Sequence, residues 1–170
     1  FDQVFPYSEM NVEYLDGNKM VKIPRMYFKV ETNSGRISAI SVSRYPREED
    51  GWFESKEFFV GAYLGSAKDD KVVSVSGAAF LGSGAFAQLK NKAMLNGEGY
   101  DVLSVQQRNV IAMLMLIEFG TKNLTSLLLK QKVASVTGSS DIVLTDTGCN
   151  MQNGVFRYRN IEDCIGGRET

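Results

Sequence analysis

Residues 1–65 carry the short runs of β-branched and aromatic side chains that are typical of β-strands. Residues 19–30 form the longest run, and Pro24 interrupts it, which predicts either two short strands or one edge strand with a break. Residues 33–35 read Asn-Ser-Gly and predict a turn. In residues 36–43, aliphatic positions alternate imperfectly with serines, so we expect a half-buried strand there.

Two further segments complete this first part of the chain. Residues 47–51 are polar and predict a surface loop, whereas residues 57–63 return to the composition of a strand. Gly61 lies inside this second run. A glycine within a strand indicates a bulge or a close approach of another backbone segment.

The middle of the chain predicts two helices. Residues 83–96 place apolar side chains at helical spacing and end at Asn96-Gly97, which predicts a short amphipathic helix. Its apolar positions are Phe86, Leu89, Ala93 and Met94. Further on, Ser104 and Gln107 have the spacing of a capping box, and residues 105–119 are apolar on nearly all sides. We therefore expect the second helix to form the buried centre of the fold.

Strands followed by two helices and then by further strands predict an α+β fold rather than alternating βαβ units. Residues 155–159 indicate a short strand near the end, whereas residues 126–133 fit either a helix or a strand. Because 170 residues is the length of one domain, we expect a single domain over residues 1–170.

Charge and hydropathy exclude two classes of partner. The chain carries 19 Lys and Arg against 20 Asp and Glu, so no overall positive field attracts it to nucleic acid or to an anionic membrane. Its apolar stretches are also shorter than the ~20 residues that span a bilayer. We predict that neither nucleic acid nor a membrane is a partner.

The sequence contains no histidine, which excludes Ser-His-Asp and Cys-His nucleophiles and every metal site that needs a histidine. Cys149 and Cys164 are too few for a four-thiolate zinc site, and whether they pair stays open. No spacing of carboxylates matches a calcium motif. Residues 82–87 fit a relaxed dinucleotide-binding pattern, but no series of βα units surrounds them. We predict no enzyme activity, no cofactor and no metal.

The acidic loop at residues 48–50 is flanked by side chains that are suited to ligand binding. Aromatic rings and a guanidinium beside a loop are typical of surfaces that bind sugars or proteins. We therefore predict that Tyr45, Arg47 and Trp52 bind a ligand. The alternative is that Trp52 anchors the loop to the core.

Several further segments share one order along the chain. They are Phe5-Pro-Tyr-Ser-Glu-Met10, Met20-Val-Lys-Ile-Pro-Arg-Met-Tyr-Phe-Lys29, Val60-Gly-Ala-Tyr-Leu-Gly-Ser66, Ser74-Val-Ser-Gly77, Leu116-Ile-Glu-Phe-Gly-Thr-Lys-Asn123 and Tyr158-Arg-Asn-Ile-Glu-Asp163. Together they resemble a family of phage tail and virion-associated proteins. This chain departs from that family at Asn160, where glycine is common, and at residues 51–57, where the family has a longer loop that usually carries a histidine.

The resemblance implies a C-type-lectin-like fold of mixed short strands with two helices, which is shared with formylglycine-generating enzymes. It also implies further strands beyond residue 170 that complete the domain. The expected function is that of a non-enzymatic virion protein, in a tail fibre or tail tip. It attaches to the host by binding a bacterial surface glycan or protein, and we expect a homo-oligomer in contact with other virion proteins.

Two alternatives stay open. In the first, the chain is a structural assembly module of the virion in which residues 127–129, Val133 and Val136 pack against a neighbour. In the second, which rests on analogy with fold relatives, it is an oxidase that depends on Cys149 and Cys164.

Overall fold

The structure, a computed structural model, describes residues 1–81, 84–124, 137–138, 149–152 and 155–164. A 3₁₀ turn at Tyr7–Glu9 precedes the regular elements. The strands before the helices are β1 (Val12–Leu15), β2 (Asn18–Ile23), β3 (Met26–Asn33), β4 (Arg36–Ser43), β5 (Trp52–Ser55), β6 (Phe58–Gly61), β7 (Ser66–Lys68) and β8 (Lys71–Val73). The helices and the last strands are α1 (Phe86–Met94), α2 (Val105–Glu118), β9 (Cys149–Gln152), β10 (Val155–Tyr158) and β11 (Ile161–Glu162).

The described strands form four small sheets, with the orders β1-β2-β6, β4-β3-β5, β11-β10-β9 and β7-β8. Every pairing among them is antiparallel, and both helices follow one another between the two groups of strands. The predicted α+β class is therefore confirmed. Residues 126–133, for which helix and strand both stayed open, lie outside the described ranges. Neither described helix is long and apolar enough to cross a membrane.

Residues 19–33 form two strands, and the predicted break at Pro24 is confirmed. Because proline has no backbone N–H to donate, β2 ends before it and β3 begins in a different sheet. The predicted turn between β3 and β4 is also confirmed. Ser34 and Gly35 have φ of 52° and 74°, the left-handed conformation that a two-residue hairpin turn needs.

A β-bulge explains why the aliphatic residues of β4 alternate imperfectly. Ala39 pairs with Glu31 and Ile37 pairs with Thr32, so Ser38 is the extra residue on β4. The bulge shifts the alternation by one position. As a result Ile37, Ile40 and Val42 share one face of the sheet, although their spacing in the sequence is irregular.

The strand predicted around residues 57–63 is confirmed as β6, and Gly61 marks a close backbone approach. A Cβ at Gly61 would lie 3.0 Å from the carbonyl oxygen of Tyr63 and 3.1 Å from Ser74 Oγ. Six short strands were not individually predicted from the sequence: β1, β5, β7, β8, β9 and β11. The β7–β8 turn uses Asp69 and Asp70 at φ of 50° and 63°, and aspartate tolerates this conformation.

Helix α1 confirms the predicted short helix, but its packing differs from the prediction at both ends. Phe86 and Met94 were expected on the apolar face, yet they are 67% and 52% exposed. The helix contacts β8, and of its predicted apolar residues Ala93 is buried and Leu89 is half-buried. This contact leaves Phe86 and Met94 largely exposed.

Helix α2 begins with the predicted capping box. The backbone N–H of Gln107 donates to Ser104 Oγ at 3.2 Å, and the N–H of Ser104 donates to Gln107 Oε1 at 2.9 Å. The buried side chains of α2 are Val110, Ile111, Leu114 and Met115. These residues place α2 in the centre of the core, as predicted, while Met113 and Ile117 are only half-buried.

The core joins α2 to both ends of the described chain. Its members are Tyr7, Val21, Ile23, Met26, Phe28, Val60, Ala62, Tyr63, Val110, Ile111, Leu114, Met115, Phe156, Tyr158 and Ile161. The Tyr7 hydroxyl donates to the Leu114 carbonyl at 2.9 Å, and the Glu162 N–H donates to the Ala62 carbonyl at 2.8 Å. These bonds bring the N-terminal turn and β11 to the same core.

A buried ion pair closes this junction. Arg159 is 4% exposed and its Nε donates to Glu118 Oε2 at 2.9 Å, while its Nη2 also binds Asp2 at 2.9 Å. The guanidinium lies 4.8 Å from the ring centre of Tyr7. Burial, followed by the negative charge of Glu118, raises the pKa of the phenols of Tyr7 and Tyr158, so both rings stay neutral.

Candidate functional site

The sheet β4-β3-β5 positions the predicted ligand-binding residues. In β5, Phe53 pairs with Phe28 of β3, and their stacked rings lie on the core face of this sheet. Because successive side chains of a strand point to opposite faces, the neighbouring pair of Trp52 and Lys29 lies on the other face. We call this opposite side the Trp52 face. It is defined by Trp52, Lys29 and Tyr27.

Ser43, the last residue of β4, organises the loop that follows. It is only 5% exposed, and it pairs with Tyr27, so its side chain lies on the Trp52 face. Its hydroxyl donates to the Tyr45 carbonyl at 2.8 Å and accepts from the Tyr45 N–H at 3.2 Å. The same oxygen accepts from Arg47 Nε at 3.1 Å. Ser43 therefore fixes both the backbone at Tyr45 and the side chain of Arg47.

Arg47 and Trp52, both predicted as ligand-binding residues, come together on this face. The guanidinium carbon of Arg47 lies 6.0 Å from the ring centre of Trp52, within range of a cation–π contact. Arg47 is exposed and Trp52 is half-buried. The indole nitrogen of Trp52 is buried and has no hydrogen-bond partner among the described residues. One edge of the indole is thus covered by protein.

Tyr45 and Trp52 differ in their exposure to solvent. Tyr45 is 68% exposed, and it shares Ser43 with Arg47 through its backbone. Trp52 follows the predicted surface loop and begins strand β5. The pairing of β5 with β3 holds it in the sheet immediately after Gly51. The half-burial of Trp52 fits both the predicted roles, an anchor for the loop and a surface for a ligand.

The acidic loop is tied to the sheet by Lys29, which the sequence analysis did not single out. Lys29 Nζ lies 3.8 Å from Glu49 Oε2 and 4.0 Å from Glu31 Oε1. Ser43 was missed as well. Its signal was weak, since a serine at the end of a strand gains this role only when the loop turns back over it.

A second arginine covers a second ring on the Trp52 face. The guanidinium carbon of Arg25 lies 5.6 Å from the ring centre of Tyr27, and its Nη2 donates to the Tyr27 hydroxyl at 2.7 Å. Arg25 Nε also binds Glu54 at 2.8 Å. The Trp52 face therefore carries two arginine–aromatic pairs. Arg25 at Tyr27 also binds a carboxylate, whereas Arg47 at Trp52 forms no ion pair with a described residue.

The geometry of the described residues gives no support to a dinucleotide site or a metal site. Residues 84–87 of the dinucleotide-like pattern lead into α1, but the described strands contain no parallel pair. In the described ranges, no three Cys, Asp or Glu side chains are grouped as metal ligands. Cys164 Sγ lies 3.8 Å from Met115 Sδ and borders a cavity of about 380 Å³. The side chain of Cys149 lies outside the described part, so the predicted alternatives for this pair remain open.

No family model, no curated protein and no solved structure matches this chain.

Proposed function

We propose that this chain is a non-enzymatic domain of a virion tail fibre or tail tip that attaches to a glycan or protein on the bacterial surface. Tyr45, Arg47 and Trp52 would form its binding surface. One observation carries the proposal: the Arg47 guanidinium lies 6.0 Å from the ring centre of Trp52 and is hydrogen-bonded to Ser43 at an exposed edge of the sheet. Holding these groups in place before binding lowers the entropic cost of capturing a ligand.

The segments that resemble phage tail proteins support a shared scaffold. Residues 20–29 and 60–66 include much of β2, β3 and β6, and residues 116–123 and 158–163 include the ends of α2 and β10 with β11. Many of their buried apolar side chains, among them Val21, Phe28 and Tyr158, belong to the core. The two helices and the short antiparallel strands are compatible with the C-type-lectin-like fold that we propose for this domain. The loop with Arg47 lies outside all of these segments.

A rigid scaffold with a distinct loop suits receptor recognition, because binding residues are commonly carried on loops while the core keeps them in place. On this surface a sugar ring would stack on the exposed ring of Tyr45 or on the Trp52 face. Arg47 would donate hydrogen bonds to the oxygen atoms of the ligand. The domain acts by binding and performs no bond-breaking step.

The proposal is tested by measuring how labelled chain binds to a panel of bacterial cells, with purified surface polysaccharide as competitor. Trp52→Ala and Arg47→Ala are each expected to weaken binding about 30-fold or more, the effect of removing a central residue of an interface. Arg36→Ala is the matched control, since Arg36 is an exposed arginine at the far end of β4. The control should bind like the native chain.

Circular dichroism is to be used as the control that each variant is folded before its binding is compared with that of the native chain. Equal binding by the native chain and both site variants would contradict the assignment of the site. A folded native chain that binds no cell in the panel would contradict the proposed function itself.

A second candidate function, assembly within the virion, is favoured by the edge strand β4. Among the described strands β4 pairs only with β3, and after Arg36 it contains no charged residue and no proline. Such an edge is a template for pairing with another chain, although the bulge at Ser38 weakens one half of it. The residues proposed from the sequence for this role, 127–129, Val133 and Val136, lie outside the described residues.

If β4 joins two copies of the chain, native protein should form a dimer whose mass is measured by light scattering. Ala39→Lys places a charge at the exposed edge and should give a monomer at the same concentration. A native chain that remains monomeric across the accessible concentration range would contradict this candidate.

A further inference from the structure

We infer that the ligand of the Trp52 face is a saccharide that carries a carboxylate, and that this carboxylate binds the outer edge of Arg47. This inference rests on the proposed function and adds the chemical class of the ligand. Arg47 differs in its charged partners from the other arginines that lie over an aromatic ring.

Four arginines in the described structure lie over aromatic rings. They are Arg25 over Tyr27, Arg44 over Phe5, Arg47 over Trp52 and Arg159 over Tyr7. Three of these guanidinium groups also bind a carboxylate of the protein: Arg25 binds Glu54, Arg44 binds Glu9 and Arg159 binds Glu118. Arg47 forms no ion pair with any described residue.

Arg47 has no partner of this kind even though three carboxylates follow it directly in the sequence. Glu49 is drawn towards Lys29 instead, with the two charged groups 3.8 Å apart. Glu48 and Asp50 are exposed, and neither lies within 4.0 Å of an Arg47 nitrogen. The local fold therefore keeps the protein's own anions off this guanidinium.

The part of Arg47 that remains available has the geometry of a carboxylate receptor. A guanidinium has five N–H groups in a planar fork. The Nε–H donates to Ser43, and the Trp52 ring lies within cation–π distance of the guanidinium. The two terminal nitrogens are left without a partner among the described residues, and a carboxylate accepts two parallel hydrogen bonds from such a pair. The fork is already oriented before any ligand arrives.

The charges around the fork favour a single carboxylate over a dense polyanion. Glu48 and Asp50 would repel closely spaced phosphates, and the chain has a net charge of -1. A sugar acid combines one carboxylate with a ring that can stack on Tyr45 or Trp52. A phosphodiester polymer offers the same two acceptor oxygens, so the experiment has to separate these two sources.

The test uses surface polysaccharide purified from the cells that bind best. Its affinity for the native chain is measured by calorimetry before and after its carboxyl groups are chemically reduced to alcohols. Reduction should weaken binding about tenfold or more, because a charge-assisted pair is lost. Poly(glycerol phosphate) is the second arm and should bind more weakly than the unreduced polysaccharide.

Arg47→Gln removes the charge and the fork while keeping a polar side chain. This variant should bind the native and the reduced polysaccharide equally, whereas the control Arg36→Gln should keep the full difference. Equal affinity of the native chain for both forms, or stronger binding of poly(glycerol phosphate), would overturn the carboxylate inference and leave the receptor-binding proposal standing. No binding to any cell or polymer would overturn both.

Discussion

Glu118→Gln is expected to lower the free energy of unfolding by about 3 kcal/mol, the lower end of the range for breaking a buried ion pair, because Arg159 keeps only the half-exposed Asp2 as a charged partner. Arg159 is 4% exposed and the side chain of Glu118 is 7% exposed, so water cannot replace the lost carboxylate. For a domain of this length the midpoint of thermal unfolding should fall by about 10 °C, measured by calorimetry.

Two further variants identify the cause of that loss. Asp101→Asn removes the exposed pair with Lys90, whose side chains are 49% and 42% exposed, and should leave stability almost unchanged. The double variant Glu118→Gln with Arg159→Met should recover stability relative to Glu118→Gln alone, because no uncompensated charge stays buried. A single variant as stable as the native chain would contradict the role of this pair.

Phe28→Ala is expected to cost about 3–5 kcal/mol, the range for removing a large buried ring from a core. Phe28 is fully buried, and it is the central residue of the sheet that carries Trp52 on its other face. The ring also stacks on Phe53, with centroids 5.6 Å apart. Denaturant unfolding followed by circular dichroism measures the loss.

Phe53→Ala is the matched control for that variant. It removes the other ring of the same stacked pair, which is 43% exposed, so we expect the free energy of unfolding to fall by only about 1 kcal/mol. If Phe28→Ala fails to fold, Phe28→Leu should fold with a smaller loss, since it keeps most of the volume. Equal losses for Phe28→Ala and Phe53→Ala would contradict the conclusion that Phe28 lies inside the core while Phe53 lies at its edge.

Local signals predicted the elements whose causes are local. The break at Pro24, the turn at Ser34-Gly35 and the capping box of Ser104 depend on residues within four positions of each other, and all three are confirmed. The hairpin β7–β8 was missed because its strands have three residues each, too short for an alternation to be visible. The exposed ends of α1 were missed because the sequence of a helix does not show how much of it a neighbouring element covers.

Contacts between residues that are far apart in the chain could not be predicted from the sequence. Arg159 binds Glu118, which lies 41 positions away in the sequence, and Asp2, which lies 157 positions away. Nothing in the composition of these segments indicates which charges meet. The same holds for the pairing of β5 with β3, which decides that Trp52 lies beside Lys29.

The candidate site was predictable in its residue types but not in its geometry. Tyr45, Arg47 and Trp52 were selected because aromatic and guanidinium groups flank an acidic loop. The contact between Arg47 and Trp52 follows from that proximity. The orientation of the Arg47 guanidinium does not follow from proximity, because it depends on Ser43. The Ser43 hydroxyl reaches the backbone of Tyr45 and the side chain of Arg47 only because the loop turns back at the end of β4.

Trp52 is the only tryptophan of the chain, so its fluorescence reports directly on the proposed binding surface. The decisive measurement is a titration of the native chain with the surface polysaccharide, in which tryptophan emission and heat are recorded under the same conditions. We predict a saturable change in emission with the affinity found by calorimetry, and the loss of this change in Arg47→Ala. Saturable binding in calorimetry with constant emission would place the ligand elsewhere and contradict the account.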